Sequence, residues 1–189
     1  MTTRSQGDEP SYSEKTARAC VYTRPGRRGI ARHVTNRRVI HMGIVRAVCI
    51  SDRRGIQKID VGAATFAPDC GIVNDAHRGT WHRQVSLLSY DRVKEFNQRG
   101  AGVEDGAFGE NLVVEGLDFA ALPVGTMLYC GPVELKITQI GKECHSHCAI
   151  YQRMGECIMP TQGVFAEVIK GGELRPGEEM QAKLPQQVS

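Results

Sequence analysis

The chain has 189 residues, of which 41% are hydrophobic and 24% charged, and its net charge is +3. This composition is typical of an ordinary globular domain and excludes a fibrous protein. No stretch approaches the roughly 20 uncharged apolar residues of a membrane helix, and the N-terminus shows no apolar signal core, so we expect neither membrane insertion nor secretion. We predict a cytoplasmic protein.

Positive charge is concentrated at the N-terminus. Residues 1–41 carry nine Lys and Arg against three Asp and Glu, which leaves an acidic excess in the rest of the chain. Few apolar residues and no regular periodicity are typical of disorder. We therefore predict a basic, disordered arm over residues 1–41 and a folded domain over residues 42–189. A nucleic-acid partner is disfavoured, because the basic excess lies wholly in the arm.

From Met42 onward the pattern is mostly β. The β-branched run "GIVRAVCIS" ends at the turn "DRRG" and is followed by a second extended run, "IQKIDVGAATF", which together predict a hairpin. A polar loop containing Asp75 and His77 precedes the strand-like "RQVSLLS". The next segment, "SYDRVKEFNQRG", predicts a helix that Ser89 caps and Gly100 ends.

Five further segments predict strands: "NLVVEG", "TMLYCG", "VELKITQIG", "GVFAEVIKGG" and "EEMQAKL". Alternation places Leu128 and Cys130 on one face of the second of these, and Val133, Leu135 and Ile137 on one face of the third. Many short strands separated by turns, with one clear helix, predict a mainly β, barrel-like fold with mixed and antiparallel strands and a few short helices.

The segment "GKECHSHCAIYQRMGEC", residues 141–157, holds three of the seven cysteines. An odd count and an intracellular setting argue against a disulfide framework. Cys49 and Cys130 are most simply buried apolar residues of strands. The cluster therefore needs a different explanation.

Two explanations remain open for the cluster. It offers a zinc ligand set, although structural zinc sites usually join two separated ligand pairs; the set is Cys144, His145, His147, Cys148 and Cys157. Alternatively, Lys142 and the two histidines could lower the pKa of a neighbouring thiol, because thiolate is the form that attacks sulfur or binds a soft metal. Since the cluster follows a strand, the thiol would lie on a loop at a barrel rim.

Three segments resemble a known family: "GTWHRQVSLLS", "GAFGENLVVEGLDFAALPVGTMLYCGPVELKITQIGKECHSHC" and "GVFAEVIKGGELRPGEEM". They resemble the MOSC domain, named for the C-terminus of molybdenum cofactor sulfurases, in its small stand-alone bacterial form. The resemblance extends from Met42 to Leu184. It implies a barrel-like fold and an association with the molybdenum cofactor, a pterin whose dithiolene holds the metal.

The resemblance also implies a working cysteine. Members are proposed to carry sulfur as a cysteine persulfide, or to bind the cofactor through a cysteine sulfur and reduce N-hydroxylated compounds. The cysteine of the family's "P-C" pattern falls on Cys148, where His147 replaces the proline. Cys144 stays as the alternative, and Cys144 or Cys157 could resolve a persulfide by disulfide exchange.

Other site residues follow from the same resemblance. Gly109, Glu110 and Asn111 of "GENL" could bind an anionic cofactor tail or fix a turn, and Trp81 could line a pterin pocket or pack in the core. His82, Arg83 and Lys142 complete the predicted cofactor-binding set, because a guanidinium suits phosphate oxygens. We also hypothesise that Asp75 and His77 face the cysteine loop across the barrel mouth.

The family's larger members add domains that this sequence does not contain. Without the sulfurase domain we expect no pyridoxal phosphate, and without the extra reductase subdomain a partner subunit or a homodimer would complete the site. We expect a sulfur donor of the cysteine desulfurase type and a molybdoenzyme recipient. The residues leave open whether the protein is a sulfur carrier or a reductase, and a zinc-stabilised binding module is the competing hypothesis.

Overall fold

A computed structural model describes residues 40–144 and 148–186, and within them the chain forms eleven β-strands and three α-helices. The strands are β1 (Ile40–Ile50), β2 (Ile59–Asp60), β3 (Ala64–Ala67), β4 (Gly71–Ile72), β5 (Val85–Ser89), β6 (Leu112–Glu115), β7 (Met127–Cys130), β8 (Val133–Ile140), β9 (Val164–Lys170), β10 (Gly172–Leu174) and β11 (Glu179–Lys183). The helices are α1 (Tyr90–Gln98), α2 (Ala149–Met154) and α3 (Met159–Gln162), with a 3-10 turn at Phe119–Ala121. None of the described helices has the length and apolarity needed to cross a membrane.

Seven of the described strands close into a barrel. Their order is β11, β7, β8, β9, β5, β6 and β1, and β1 pairs again with β11. Every neighbouring pair is antiparallel except β5 and β6, which run parallel and are joined through α1. A parallel pair needs such a crossover connection. The predicted mainly β, barrel-like fold with a few short helices is confirmed.

The barrel interior is filled by alternate side chains of its strands. Leu128 and Cys130 of β7 are buried, as are Val133, Leu135 and Ile137 of β8, in agreement with the predicted faces. Successive side chains of a strand point to opposite sides, so these residues share the inward face. Burial of this face stabilises the closed sheet, at roughly 25 cal/mol per Å² of apolar surface.

A second apolar cluster holds the helices against the barrel exterior. Leu87 packs in the interior cluster, whereas the adjacent Leu88 packs outside it with Phe96 of α1. Ile150 of α2 and Met159 of α3 belong to the same outer cluster. Both faces of β5 are therefore buried. The short helices α2 and α3, which lie within and just after residues 141–157, pack in this outer cluster.

Two local predictions are corrected. The run "IQKIDVGAATF" is not one strand, because β2 pairs with β1 while β3 joins β4 and β10 in a separate sheet. The break falls at Gly62, which has a φ of +70° and donates its N–H to the Asp60 carboxylate at 2.9 Å. Ser89 precedes α1 as predicted but makes no capping hydrogen bond, because its hydroxyl donates to the Leu117 carbonyl.

The first described strand begins close to the predicted domain boundary. β1 begins at Ile40, two residues before the predicted start of the folded domain. The predictions for residues 1–39 and for His145 and His147 lie outside the described residues.

Strand register brings five chain segments to one end of the barrel. Val48 pairs with Leu112, Leu112 with Leu87, Leu87 with Val164, and Val164 with Ile140. These residues form one row near the ends of β1 and β8 and the starts of β5, β6 and β9. The segments after β1 and β8 and before β5, β6 and β9 therefore meet at one rim, which we call the cleft rim.

Barrel closure can be tested on β11. Met180 is fully buried and pairs with both β1 and β7, so Met180→Ala should lower the free energy of unfolding by about 2–5 kcal/mol. Gln181 is the exposed neighbour on the same strand, and Gln181→Ala should cost less than about 0.5 kcal/mol. Urea unfolding of both variants measures this. Equal losses would contradict the inward orientation of Met180.

Candidate functional site

A cleft of about 790 Å³ opens at the cleft rim. Its walls come from four segments that the barrel brings together: residues 55–57 after β1, residues 77–83 before β5, residues 107–111 before β6, and the cysteine segment after β8. Its volume is in the range of small-molecule and cofactor sites. The rim location agrees with the expectation that the thiol segment lies on a loop at the barrel mouth.

Three thiols share this cleft. Cys144, Cys148 and Cys157 all line it, with Cys144 and Cys148 exposed. The side chains of Cys157 and Cys144 are hydrogen-bonded, and burial is the main cause that raises the pKa of Cys157. Cys49 and Cys130 are buried as predicted, and burial raises both pKa values, that of Cys130 to about 12. Accessible sulfur among the described free cysteines is thus concentrated in the cleft.

Packing and backbone bonds position the cysteine segment. Cys148 directly precedes α2, whose Ile150 is buried in the outer cluster. Gly155 ends this helix with a φ of +74°, a conformation that glycine adopts without strain, and the chain turns back to Cys157. At the base of the segment the Gly141 N–H donates to the Gly163 carbonyl at 2.7 Å. The exposed Cys148 therefore directly precedes a helix that is packed in the outer cluster.

Arg83 is held between two aromatic rings in the cleft. Its guanidinium carbon lies 4.8 Å from the Trp81 ring centre and 5.9 Å from that of Phe165. Such contacts attract a cation to the ring faces. The Arg83 Nε is buried and has no hydrogen-bond partner among the described residues. A buried donor without a partner is costly, so this nitrogen is suited to an anionic ligand.

Basic side chains gather at one end of the cleft. An adjoining cavity of about 380 Å³ shares five residues with the larger one: His77, Trp81, Arg83, Lys142 and Glu143. Arg54 also lines this cavity. We call Arg54, His77, Arg83 and Lys142 the basic end of the cleft. Among the described residues that line the smaller cavity, Arg54, Arg83 and Lys142 are cations and Glu143 is the carboxylate, so the balance of charge favours anions.

A buried ion pair lies beneath the basic end. The Lys58 ammonium is 2.5 Å from an Asp75 oxygen, and both side chains are almost fully buried. Asp75 also accepts hydrogen bonds from the backbone N–H groups of Ser51 and His77. This pair joins the segment after β1 to the segment before β5, because its partners come from both.

His77 lies between this pair and the cleft. Its Nδ1 is 3.5 Å from the Lys58 Nζ and 3.8 Å from an Asp75 oxygen. Burial is the main cause that lowers the pKa of His77, and the nearby charges of Lys58, Arg54 and Lys142 lower it further. The imidazole is therefore mainly neutral near pH 7. The hypothesised placement of Asp75 and His77 is seen in part: His77 lines the cleft with the cysteines, and Asp75 is buried behind it.

The "GENL" segment shapes a wall of the cleft. Glu110 is fully buried and accepts hydrogen bonds from the backbone N–H groups of Gly106, at 2.8 Å, and Phe108, at 3.0 Å. The Asn111 side chain bonds to the Ser86 backbone and hydroxyl and to the Cys49 carbonyl. Both polar side chains fix the turn. Gly109 and Asn111 also line the cleft.

Not every predicted cofactor-binding residue lies in the cleft. His82 lines neither cavity, and its Nε2 is 3.0 Å from the Gln139 side-chain oxygen on the exposed surface. Arg83, the next residue, does line the cleft, together with Lys142. Trp81 lines it as well and donates its indole N–H to the His77 carbonyl at 3.0 Å.

Sequence reasoning missed three contributors to the site. Lys58 lies within a run interpreted as a strand, where a lysine suggests an exposed position, yet its side chain is buried. Phe108 and Phe165 belong to segments recognised for other reasons, and nothing in their spacing connects them to the cysteines. Only the barrel closure brings these residues together.

The zinc hypothesis finds limited support in the described part of the chain. No group of three or more His, Cys, Asp or Glu side chains in residues 40–144 and 148–186 is arranged to hold a metal ion. His145 and His147 of the predicted set lie outside those residues.

Residues 74–181 match the family model of the MOSC domain. The chain belongs to the MOSC family. This family is associated with the molybdenum cofactor. No curated protein matches the chain significantly.

Solved structures share the MOSC fold with this chain. The YUAD protein from Bacillus subtilis has a TM-score of 0.66 and 18% identity, covering 78% of this chain and 98% of its own. YiiM from Geobacillus stearothermophilus has a TM-score of 0.56 and 16% identity, with 75% of each chain covered. YiiM from Escherichia coli has a TM-score of 0.51 and 18% identity, covering 78% of this chain and 71% of its own. At these identities the likeness is one of fold.

The buried Glu110 gives a pH-dependent prediction. Burial raises its pKa to about 7 despite the two backbone N–H groups that favour its ionised form. Between pH 4.5 and 7 the native state therefore keeps a proton that the unfolded chain has released, so stability should fall as pH rises through this window. Glu110→Gln cannot ionise. The free energy of unfolding of wild type minus that of Glu110→Gln should fall by on the order of 3 kcal/mol as the pH rises from 4.5 to 8.

Urea unfolding of the two proteins at several pH values between 4.5 and 8 measures this difference. Titrations that both proteins share cancel in the subtraction. A difference that does not change with pH would show that Glu110 keeps its ordinary pKa.

Proposed function

We propose that this MOSC protein binds the molybdenum cofactor in the cleft and works through the Cys148 thiolate, which carries sulfur to the cofactor. The observation that supports this most is the shared cleft itself. It joins exposed thiols, aromatic walls and a basic end whose buried arginine nitrogen has no hydrogen-bond partner in residues 40–144 and 148–186. Each of these matches a different part of a metal-bearing, anionic pterin.

The residues present fit the cofactor by their chemistry. Thiolates are ligands for soft metal centres, and Cys144 and Cys148 are the exposed ones. Trp81, Phe108 and Phe165 would pack against the flat ring system, because aromatic pairs prefer stacked or edge-to-face contact. Arg83 and Lys142 would hold the anionic tail through charge-assisted hydrogen bonds. When bound, the cofactor supplies a molybdenum centre that can take a sulfur ligand.

We favour Cys148 over Cys144 as the working thiol. Cys144 shares a hydrogen bond with Cys157, whereas the Cys148 side chain makes no capping bond to α2 and is exposed. The Cys148 thiolate would attack the terminal sulfur of a donor persulfide. The donor's S–S bond breaks, the donor thiolate leaves with the electron pair, and a persulfide remains on Cys148. Cys144 and Cys157 stay available as a second thiol pair.

Metal content tests the cofactor assignment. Protein purified from cells that make the cofactor should contain molybdenum. Arg83→Gln should bind the cofactor at least about tenfold more weakly, because charge-assisted hydrogen bonds are lost. Arg153→Gln makes the same charge change on exposed α2, outside the cleft lining, and should retain wild-type molybdenum. Elemental mass spectrometry measures both metals. Stoichiometric zinc that survives mild chelation, with no molybdenum, would instead support the zinc-stabilised module.

Sulfur loading tests the thiol assignment. After incubation with an alkyl hydropersulfide that carries no oxyanion group, wild type should gain one sulfur atom on Cys148, and Cys148→Ser should lose this adduct. Cys130→Ala serves as the control, because that thiol is buried and its pKa is raised to about 12. Cys144 and Cys148 share one tryptic peptide, residues 143–153, so fragment ions must locate the adduct.

The outcomes separate the candidate roles. Sulfur on Cys144 in both wild type and Cys148→Ser would make Cys144 the working thiol. Molybdenum binding without any sulfur adduct would remove the carrier role and favour the reductase of N-hydroxylated compounds.

A further inference from the structure

The cleft combines two chemically different parts that open into each other. Cys144 and Cys148 line the larger cavity, and His77, Arg83 and Lys142 of the basic end line both it and the smaller one. Lys142 belongs to the basic end and lies two residues before Cys144 in the chain. A ligand bound at the basic end therefore lies in the same space as a nucleophilic sulfur.

The basic end is built to take a small oxyanion. Arg83 is fixed by Trp81 and Phe165, so little side-chain freedom is lost when its guanidinium binds a ligand. Its buried Nε has no partner among the described residues. Lys142 and Arg54 line the same cavity and add positive charge around this nitrogen. The carboxylate of Glu143, which also lines the cavity, offsets part of that charge. The adjoining cavity of about 380 Å³ suits a group of a few heavy atoms.

We infer that the cleft accepts thiosulfate as a direct sulfur donor to Cys148, with the basic end binding its sulfonate group. This inference rests on the proposed function, because it assumes that Cys148 carries sulfur, and it adds the chemical class of the donor. A sulfane-sulfur anion has a chemical group suited to each of the two parts of the cleft. Its charged oxygens need cations, and its outer sulfur needs a nearby thiolate.

The transfer balances without another reactant. The Cys148 thiolate attacks the outer sulfur of thiosulfate, a bond forms between the two sulfurs, and the sulfur–sulfur bond of thiosulfate breaks. Sulfite leaves with the electron pair of that bond, and the outer sulfur remains on Cys148 as a persulfide anion. Negative charge builds up on the departing sulfite oxygens, where the Arg83 guanidinium would stabilise it.

The same end of the cleft would hold the cofactor's anionic tail in the proposed function. Sulfonate and phosphate therefore compete for it. Sulfur loading from thiosulfate would then precede cofactor docking, since departure of sulfite vacates the basic end for the tail. Inorganic phosphate serves as a simple probe of this competition.

Single-turnover loading with two donors tests the inference on the full chain. Thiosulfate should place one sulfur atom on Cys148 and release one sulfite for each persulfide formed. Arg83→Gln should raise the half-saturating thiosulfate concentration about tenfold or more, because the guanidinium can no longer donate charge-assisted hydrogen bonds to the sulfonate. Arg153→Gln should behave as wild type. Inorganic phosphate should slow loading from thiosulfate relative to chloride at equal ionic strength.

An alkyl hydropersulfide that carries no oxyanion group is the matched second donor. It should load wild type and Arg153→Gln equally, and phosphate should not slow it, because it has no sulfonate group for the basic end to bind. If the hydropersulfide loads Cys148 and thiosulfate does not, the donor inference is overturned and the proposed function stands. If neither donor loads Cys148, both fail. Equal thiosulfate dependence in wild type and Arg83→Gln would overturn the role of the basic end.

Discussion

Closure of the barrel through β1 is the constraint on which the rest of the structure depends. This strand pairs with β11 on one side and with β6 on the other, and its last residues also hold β2. Full closure leaves no unpaired barrel edge and fixes the register of every strand. The segments that follow or precede the strand ends are thereby placed at one rim. Four of those segments line the cleft, so the positions of the strand ends determine where its walls lie.

Buried polar groups give the cleft its shape. The Lys58–Asp75 pair joins two rim segments, and Glu110 and Asn111 hold a third through backbone hydrogen bonds. A buried ion pair adds little net stability over an apolar pair, but loss of one partner costs about 3–5 kcal/mol. These groups therefore favour one arrangement of the loops over others. Burial is the main cause that lowers the pKa of His77, and the positive charge of the neighbouring Lys58 lowers it further.

Local pattern was sufficient for most strands and for the main components of the site. Alternation predicted β7 and β8 with their buried faces, and the cysteine spacing singled out Cys144 and Cys148, which share the cleft. Local pattern was not sufficient where long-range strand pairing determines the structure. The run from residue 56 to residue 66 was predicted as one extended segment, but it divides between two sheets at Gly62. His82 and Arg83 are adjacent in sequence and both were predicted to bind the cofactor, yet only Arg83 lines the cleft.

The sequence by itself determined the chemistry available: accessible sulfur on a segment after a strand, a tight "GENL" turn, and the MOSC frame, because these depend on residue type and short-range spacing. Tertiary structure alone decided which groups meet. Strand order and closure bring Arg83, Phe165 and the cysteines to one rim, and burial there raises the pKa of Cys157. Such contacts join residues far apart in the chain, and no local periodicity encodes them.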